Sequence, residues 1–335
     1  MPSRTNATEV TEAAPTVSRV PFHLAVHPDG PDGHEWEIPG ELYLPDGPVP
    51  RTVQVLVPGL TYDRRYWTLP EPYNYAEFMA AAGYAVAVFD RLGTGAASRP
   101  PADEVTIDAH VLVLRQLVQG LRSGSLTARK FERVVVVGHS YGSGIAIMEA
   151  ARYRDVDGLI ITGMLHAFTE LYGQVRDFFH PGTEDEVVGP TNPPRGYLTQ
   201  KPGKRATMLE YAPNIDPAMS ELNEAIKSTG ALGEGDTLEQ TYEATHSLDV
   251  SVPVLLVVGE RDALFCGEDV DFGRSSAAVH AFEQAYYSPA ARLQTYVIPR
   301  AGHSLNLHYN ARTWFAIARD WVDRLVPRGN GNGNG

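Results

Sequence analysis

Residues 134–145, VVVVGHSYGSGI, constrain this chain more tightly than any other stretch. Four consecutive valines read as a buried strand, and Ile145, Ile147 and Met148 begin a helical spacing directly afterwards. Between them stands Gly138-His139-Ser140-Tyr141-Gly142, a serine flanked by glycines at G-x-S-x-G. A turn that passes so abruptly from strand to helix has no room for side chains two positions either side of the serine. The hydroxyl is pushed out beyond the strand end, over a helix N-terminus that favours developing negative charge. This is the pattern of a nucleophile elbow. The alternative is an ordinary glycine-rich β-to-α turn.

The same alternation extends along the chain. TVQVLVP (52–58), YAVAVFD (84–90), VDGLIITG (156–163), VPVLLVVG (252–259) and RLQTYVIP (292–299) are short apolar runs that read as strands. Residues 105–124 carry Val111, Leu114, Leu117 and Leu121 on one helical face, and an amphipathic helix is expected from Ala311 to about Leu325. Apolar strands separated by helices predict an α/β fold whose mostly parallel sheet is covered on both faces. Residues 22–27 and 36–44, with turn residues from Pro28 to Gly33, read as an opening antiparallel pair. The polar residues 1–18 and the Gly/Asn tail 329–335 offer nothing to bury and are expected to be disordered.

Between Leu165 and Ser247 the rhythm breaks. Pro, Gly and acidic residues mix with Phe168, Tyr172, Phe178, Phe179, Tyr197 and Tyr211, and no strand pattern emerges. A structureless loop of that length is improbable, so 165–247 is expected to form a mainly helical insertion between core segments 19–164 and 248–328. It leaves the sheet just after the strand that follows the serine turn. That position favours a lid over the site; the alternative is a packing or dimerisation appendage.

Composition removes several function classes. Against 41 acidic residues stand 28 basic ones, a net charge of −13, which argues against a nucleic-acid or anionic-membrane partner. Cys266 is the single cysteine, so no intramolecular disulfide forms and a reducing compartment fits. No apolar run is long enough to span a bilayer, and the N-terminal residues lack a secretory core. A cytoplasmic protein is expected. No His/Cys/Asp grouping has metal-ligand spacing, and neither a Walker loop nor a dinucleotide fingerprint is present. No metal and no cofactor are expected, and the partner is a small-molecule substrate.

Three separated motifs, each at the end of an expected strand, fall in one order: Ser140, then Asp262 in VVGERDALF, then His303 in IPRAGHSLNLH. In this the chain resembles the α/β-hydrolase fold family, from about residue 20 to 328. The resemblance implies that Ser140 is the nucleophile, His303 the base that takes its proton, and Asp262 the carboxylate that orients the imidazole. It also implies two main-chain oxyanion donors. One is Tyr141; the other comes from the loop LVPGLTYD and is assigned to Leu60, with Thr61 the alternative. Many relatives read His-Gly there, where this chain has Pro58-Gly59. FDRLGTGAAS (89–98) resembles the family's D-x-x-G-x-G-x-S turn, with Asp90 and Arg91 bracing the loop beside the elbow while Gly93 and Gly95 let it fold tightly.

The substrate pocket is assigned to Tyr62, Trp67, His166 and Phe168. For Trp67 the alternative is packing against a helix beginning near Tyr75, and for His166 a surface or core position. His139 and His308 read as structural, His23, His27 and His34 as remote, and Cys266 as a small buried hydrophobe. The resemblance implies a serine-dependent hydrolase of a carboxylic ester or lactone on a small to medium apolar molecule, through an acyl-enzyme on Ser140. The same parts could serve a lyase or cyclase that eliminates an acyl group such as acetate with His303 as base. A non-enzymatic ligand receptor on the same fold is the third reading.

Overall fold

A computed structural model describes residues 16–28, 30, 33–267, 270 and 274–325. Eight strands form the main sheet: β1 (Val17–Val26), β2 (Trp36–Pro45), β3 (Thr52–Val57), β4 (Ala85–Phe89), β5 (Arg133–His139), β6 (Gly158–Thr162), β10 (Val254–Gly259) and β11 (Gln294–Ile298). Their order is β1-β2-β4-β3-β5-β6-β10-β11. β1, β2 and β4 pair antiparallel and the remaining pairs are parallel. Every residue of β3, β4, β6 and β10 is buried. Burial on both faces is why these strands read as continuous apolar runs and not as alternating ones.

Helices cover both faces. α2 (Ile107–Ser123) packs on α3 (Tyr141–Tyr153), and α1 (Tyr75–Ala81) packs on α10 (Ala311–Leu325), with α9 (Ser276–Glu283) beside β11. α2 lies inside its expected span. Thr106 caps it by accepting from the Ala109 N–H at 3.2 Å, and Gly124 ends it at a φ of 81°. β1 corrects the expectation for residues 1–18, since it begins at Val17 and pairs with β2 along its whole length. Residues 1–15 and 326–335 lie outside the described residues, as do positions 29, 31 and 32 of the expected turn.

The insertion differs from its expectation in one respect. Besides α4 (Glu170–Gly173), α5 (Lys204–Leu209), α6 (Pro217–Ala225), α7 (Leu232–Thr237) and α8 (Ala244–Asp249), it holds a three-stranded antiparallel sheet. Its strands are β7 (Phe179–Pro181), β8 (Tyr197–Gln200) and β9 (Gly230–Ala231). Strands of two to four residues are too short to display an alternation.

Candidate active site

Ser140 follows β5 directly and stands before the first turn of α3, with φ 52° and ψ −120°. A non-glycine residue at positive φ stores strain and persists only where its surroundings impose it. Here the Ser140 N–H donates to the Thr162 carbonyl at 2.8 Å, and the Ser143 N–H donates to the Ser140 carbonyl at 2.8 Å. The two glycines are required for different reasons. A Cβ on Gly138 would lie 2.5 Å from the Gly142 oxygen and from Ser143 Cα, within the elbow itself. A Cβ on Gly142 would overlap the Val57 carbonyl of the neighbouring strand. Local crowding and sheet packing together exclude side chains at both positions.

The other two motif residues meet across the ends of β10 and β11. Asp262, fully buried, accepts from His303 Nδ1 at 2.9 Å through Oδ2. Its Oδ1 accepts the main-chain N–H of Leu264 at 3.0 Å and of Phe265 at 3.3 Å. Phe265 stacks on the His303 ring, with centroids 5.7 Å apart. Ser140, Tyr141, Leu60 and His303 line one cavity of about 50 Å³, whose remaining wall is mostly apolar and drawn mainly from the insertion. Among the described residues neither the Ser140 hydroxyl nor His303 Nε2 has a hydrogen-bond partner. Such bonds commonly tighten only in the substrate complex.

The loop after β3 runs beside the serine turn because Val57 pairs with Gly138. Among the described residues the N–H groups of Leu60 and Thr61 have no acceptor. Leu60 lines the cavity, whereas Thr61 is fully buried outside it. Thr61 takes φ 57°, a strained setting for a β-branched residue. Two buried guanidinium groups hold this loop. Arg91 Nη2 donates to the Gly59 carbonyl at 3.0 Å, and Arg205 Nη1 donates to Thr61 Oγ1 at 2.9 Å. The Ser228 N–H adds a bond to the Thr61 carbonyl at 2.8 Å. Arg91 is neutralised by Glu234 of the insertion, which also accepts from His110. Although burial pushes the Glu234 carboxyl up, Arg91 and the His110 hydrogen bond outweigh it and hold the group down at about 2. Asp90 braces the same region by accepting from the Arg64 and Ala96 N–H groups.

The pocket assignments require correction. Trp67 is fully buried against Tyr75 and Trp314, at 5.6 and 6.4 Å between ring centroids, in the core. Tyr62 lies behind the loop, its hydroxyl donating to Asn223 Oδ1 at 2.8 Å and sharing a 3.0 Å bond with Ser304. His166 is held by Glu283 at 2.8 Å and stacked on Tyr286, away from the cavity. Phe168, 40% exposed, packs on Tyr172, Tyr242 and Phe265, so it backs the wall without lining it. The residues that do form the apolar wall include Tyr172, Phe179, Met208, Leu209, Tyr242 and Phe265. Most are insertion residues with no motif around them. His139 stacks on Tyr66 with centroids 4.4 Å apart, and burial beside His303 pushes its pKa well down, so it stays neutral. His308 accepts the N–H of Gly302 at 2.9 Å and of Tyr211 at 3.0 Å, which steadies the His303 loop. Burial raises the Cys266 thiol pKa and keeps it protonated.

Among the described residues no cluster of His, Cys, Asp or Glu could hold a metal ion, and no helix is long and apolar enough to cross a membrane. A family model described as the alpha/beta hydrolase family matches residues 54–316, and the chain belongs to that family. Its fold is similar to a thermophilic esterase from Thermogutta terrifontis, at 21% identity and TM-score 0.59, over 90% of this chain and 98% of that one. A monoacylglycerol lipase from Paleococcus ferrophilus is similar at 14% identity and TM-score 0.57, covering 92% and 99%. Est1E from Butyrivibrio proteoclasticus, solved with ferulic acid bound, is similar at 15% identity and TM-score 0.55, covering 90% and 99%. No curated protein matches the sequence.

Proposed function

We propose that the chain is a serine-dependent hydrolase of carboxylic esters, or of lactones, acting through an acyl-enzyme on Ser140. One observation carries this reading: Ser140, His303, Leu60 and Tyr141 share a single cavity, with Asp262 hydrogen-bonded behind His303. A serine hydroxyl attacks a carbonyl only when a base takes its proton. Asp262 holds the proton of His303 on Nδ1, which leaves the Nε2 lone pair for the hydroxyl. The tetrahedral oxyanion is received by the main-chain N–H groups of Leu60 and Tyr141, fixed in advance and screened from water. Collapse transfers the imidazolium proton to the leaving alkoxide and leaves an acyl-serine. Water, deprotonated by the same imidazole, then releases the acid.

The wall supports a compact apolar substrate. Met208, Leu209, Leu264 and Phe265 suit hydrocarbon, and about 50 Å³ holds a few water-sized groups. The insertion acts as the lid, since it supplies most of this wall. Esterases and lipases among the structural neighbours support ester chemistry. The test combines 4-nitrophenyl acetate turnover with fluorophosphonate labelling. Ser140 is expected to carry the label, and Ser140→Ala to abolish turnover. Undiminished turnover in Ser140→Ala would refute the proposal. Label from isotopic water must appear in the acid product, because elimination would leave it unlabelled.

A further inference from the structure

We propose that Gln200 determines specificity at this site: its amide N–H₂ faces the Ser140 cavity and donates a hydrogen bond to a second oxygen of the substrate. The proposal rests on the serine-hydrolase reading and narrows its substrate class. The preferred ester carries an ether, hydroxyl or carbonyl oxygen close to the carbonyl that is attacked.

Gln200 ends β8, is 2% exposed, and lines the cavity among largely apolar neighbours. A buried carboxamide is costly unless both of its ends are satisfied. The oxygen end is satisfied, since Oε1 accepts from Thr61 Oγ1 at 2.7 Å and from Arg205 Nη1. A guanidinium can only donate, so the amide cannot turn its nitrogen toward Arg205. Nor can Arg205 swing aside. It is 1% exposed, donates to the Asn223 carbonyl at 3.1 Å and to Asn223 Oδ1 at 3.0 Å, and lies over the Tyr62 ring at 4.3 Å. The nitrogen of Gln200 is therefore turned away from this cluster.

Among the described residues Nε2 has no acceptor, yet it is not one of the unpaired polar atoms sealed inside protein. It opens on the cavity. The main-chain donors of Leu60 and Tyr141 serve the oxyanion, so the Gln200 amide is left for a different oxygen. A purely hydrocarbon acyl group would strand this donor, and its loss of water on binding would go uncompensated.

Two nearly isosteric esters test the assignment. 4-Nitrophenyl methoxyacetate and 4-nitrophenyl butyrate differ by an ether oxygen in place of a methylene. Each kcat/KM is divided by the rate of hydroxide hydrolysis to remove intrinsic reactivity. The native enzyme is expected to favour the methoxyacetate on this scale. Gln200→Glu keeps the acceptor for Arg205 and Thr61 but removes the donor, and should lower the corrected ratio about tenfold. Gln200→Met, which lacks both functions, should lower it similarly, and thermal unfolding of each variant checks the fold. An unchanged ratio, or equal losses on both esters, would overturn the proposal, because the residue would then serve the oxyanion or the fold. Absence of Ser140-dependent hydrolysis of either ester by the native enzyme would instead strike the serine-hydrolase reading, and the donor role with it.

Discussion

Replacing Asp262 by Asn removes one charge and almost no volume, and the surrounding hydrogen bonds dictate what must follow. Oδ1 is held by the N–H groups of Leu264 at 3.0 Å and Phe265 at 3.3 Å. In Asp262→Asn the amide oxygen must stay on those two donors, so the amide nitrogen turns toward His303. Two N–H donors cannot share one bond. The ring therefore moves its proton to Nε2 and accepts at Nδ1. In the proposed mechanism Ser140 then faces a proton where it needs a lone pair, and the base is lost while the fold survives. In serine proteases the equivalent exchange lowers kcat by about 10⁴, and the same size is expected here, about 5 kcal/mol of barrier. The assay is 4-nitrophenyl acetate turnover across pH 6 to 10, with active serine counted by fluorophosphonate and the fold followed by Tm. A loss below tenfold with unchanged Tm would refute the reasoning, because another group would then be orienting His303.

Ser140→Gly relieves the positive φ that Ser140→Ala retains, so it should be the more stable of two inactive variants by about 1 kcal/mol in urea denaturation; equal midpoints would contradict the strain. Glu234→Gln strips the buried Arg91 of its countercharge and should cost about 3–5 kcal/mol by the same measurement, with turnover falling as the Gly59 carbonyl loses its anchor. Glu149 is fully buried on α3, and burial, reinforced by its hydrogen bond with Asp155, pushes its carboxyl up to about 9. The folded chain then holds a proton that the unfolded chain releases, so stability falls as pH rises from about 5 toward 9. Glu149→Gln removes that slope, and its Tm advantage should widen between pH 5 and pH 8; parallel curves would count against it.

The parts of the molecule legible in the sequence share a physical property: their constraints are local. Thr106 and Gly124 bound α2 through bonds within a turn of each residue. The Ser140, Asp262 and His303 motifs sit where strands end, and the parallel sheet brings such ends to one edge. The pocket failed for the opposite reason. TYDRRYW lies beside Leu60 in sequence, but Tyr66 and Trp67 descend into the aromatic core around Tyr75 and Trp314. Nearness along the chain does not turn a side chain toward the cavity. The same limit hid Gln200 and Arg205, whose partner Thr61 lies more than a hundred residues away in sequence. No periodicity records such a pairing. The insertion's strands are hidden by shortness, and its wall residues by the absence of any motif.

That long-range pairing bears on what the insertion does. Thr61 is β-branched at φ 57°, a conformation that costs about 1–3 kcal/mol and relaxes unless it is enforced. Its enforcers are Arg205 and the Ser228 N–H, and both belong to the insertion. Gly59, two residues earlier, is held by Arg91, whose charge is balanced by Glu234 of the insertion. The proposed oxyanion donor Leu60 lies between these two clamped positions. Removing residues 165–247 would thus do more than open the cavity to water. It would leave Arg91 without its carboxylate and release Thr61 to an ordinary φ, and the Leu60 N–H would lose its fixed direction. The insertion and the loop that carries the proposed oxyanion donor are one mechanical unit. For this reason a change in how the insertion packs should appear in kcat as well as in KM.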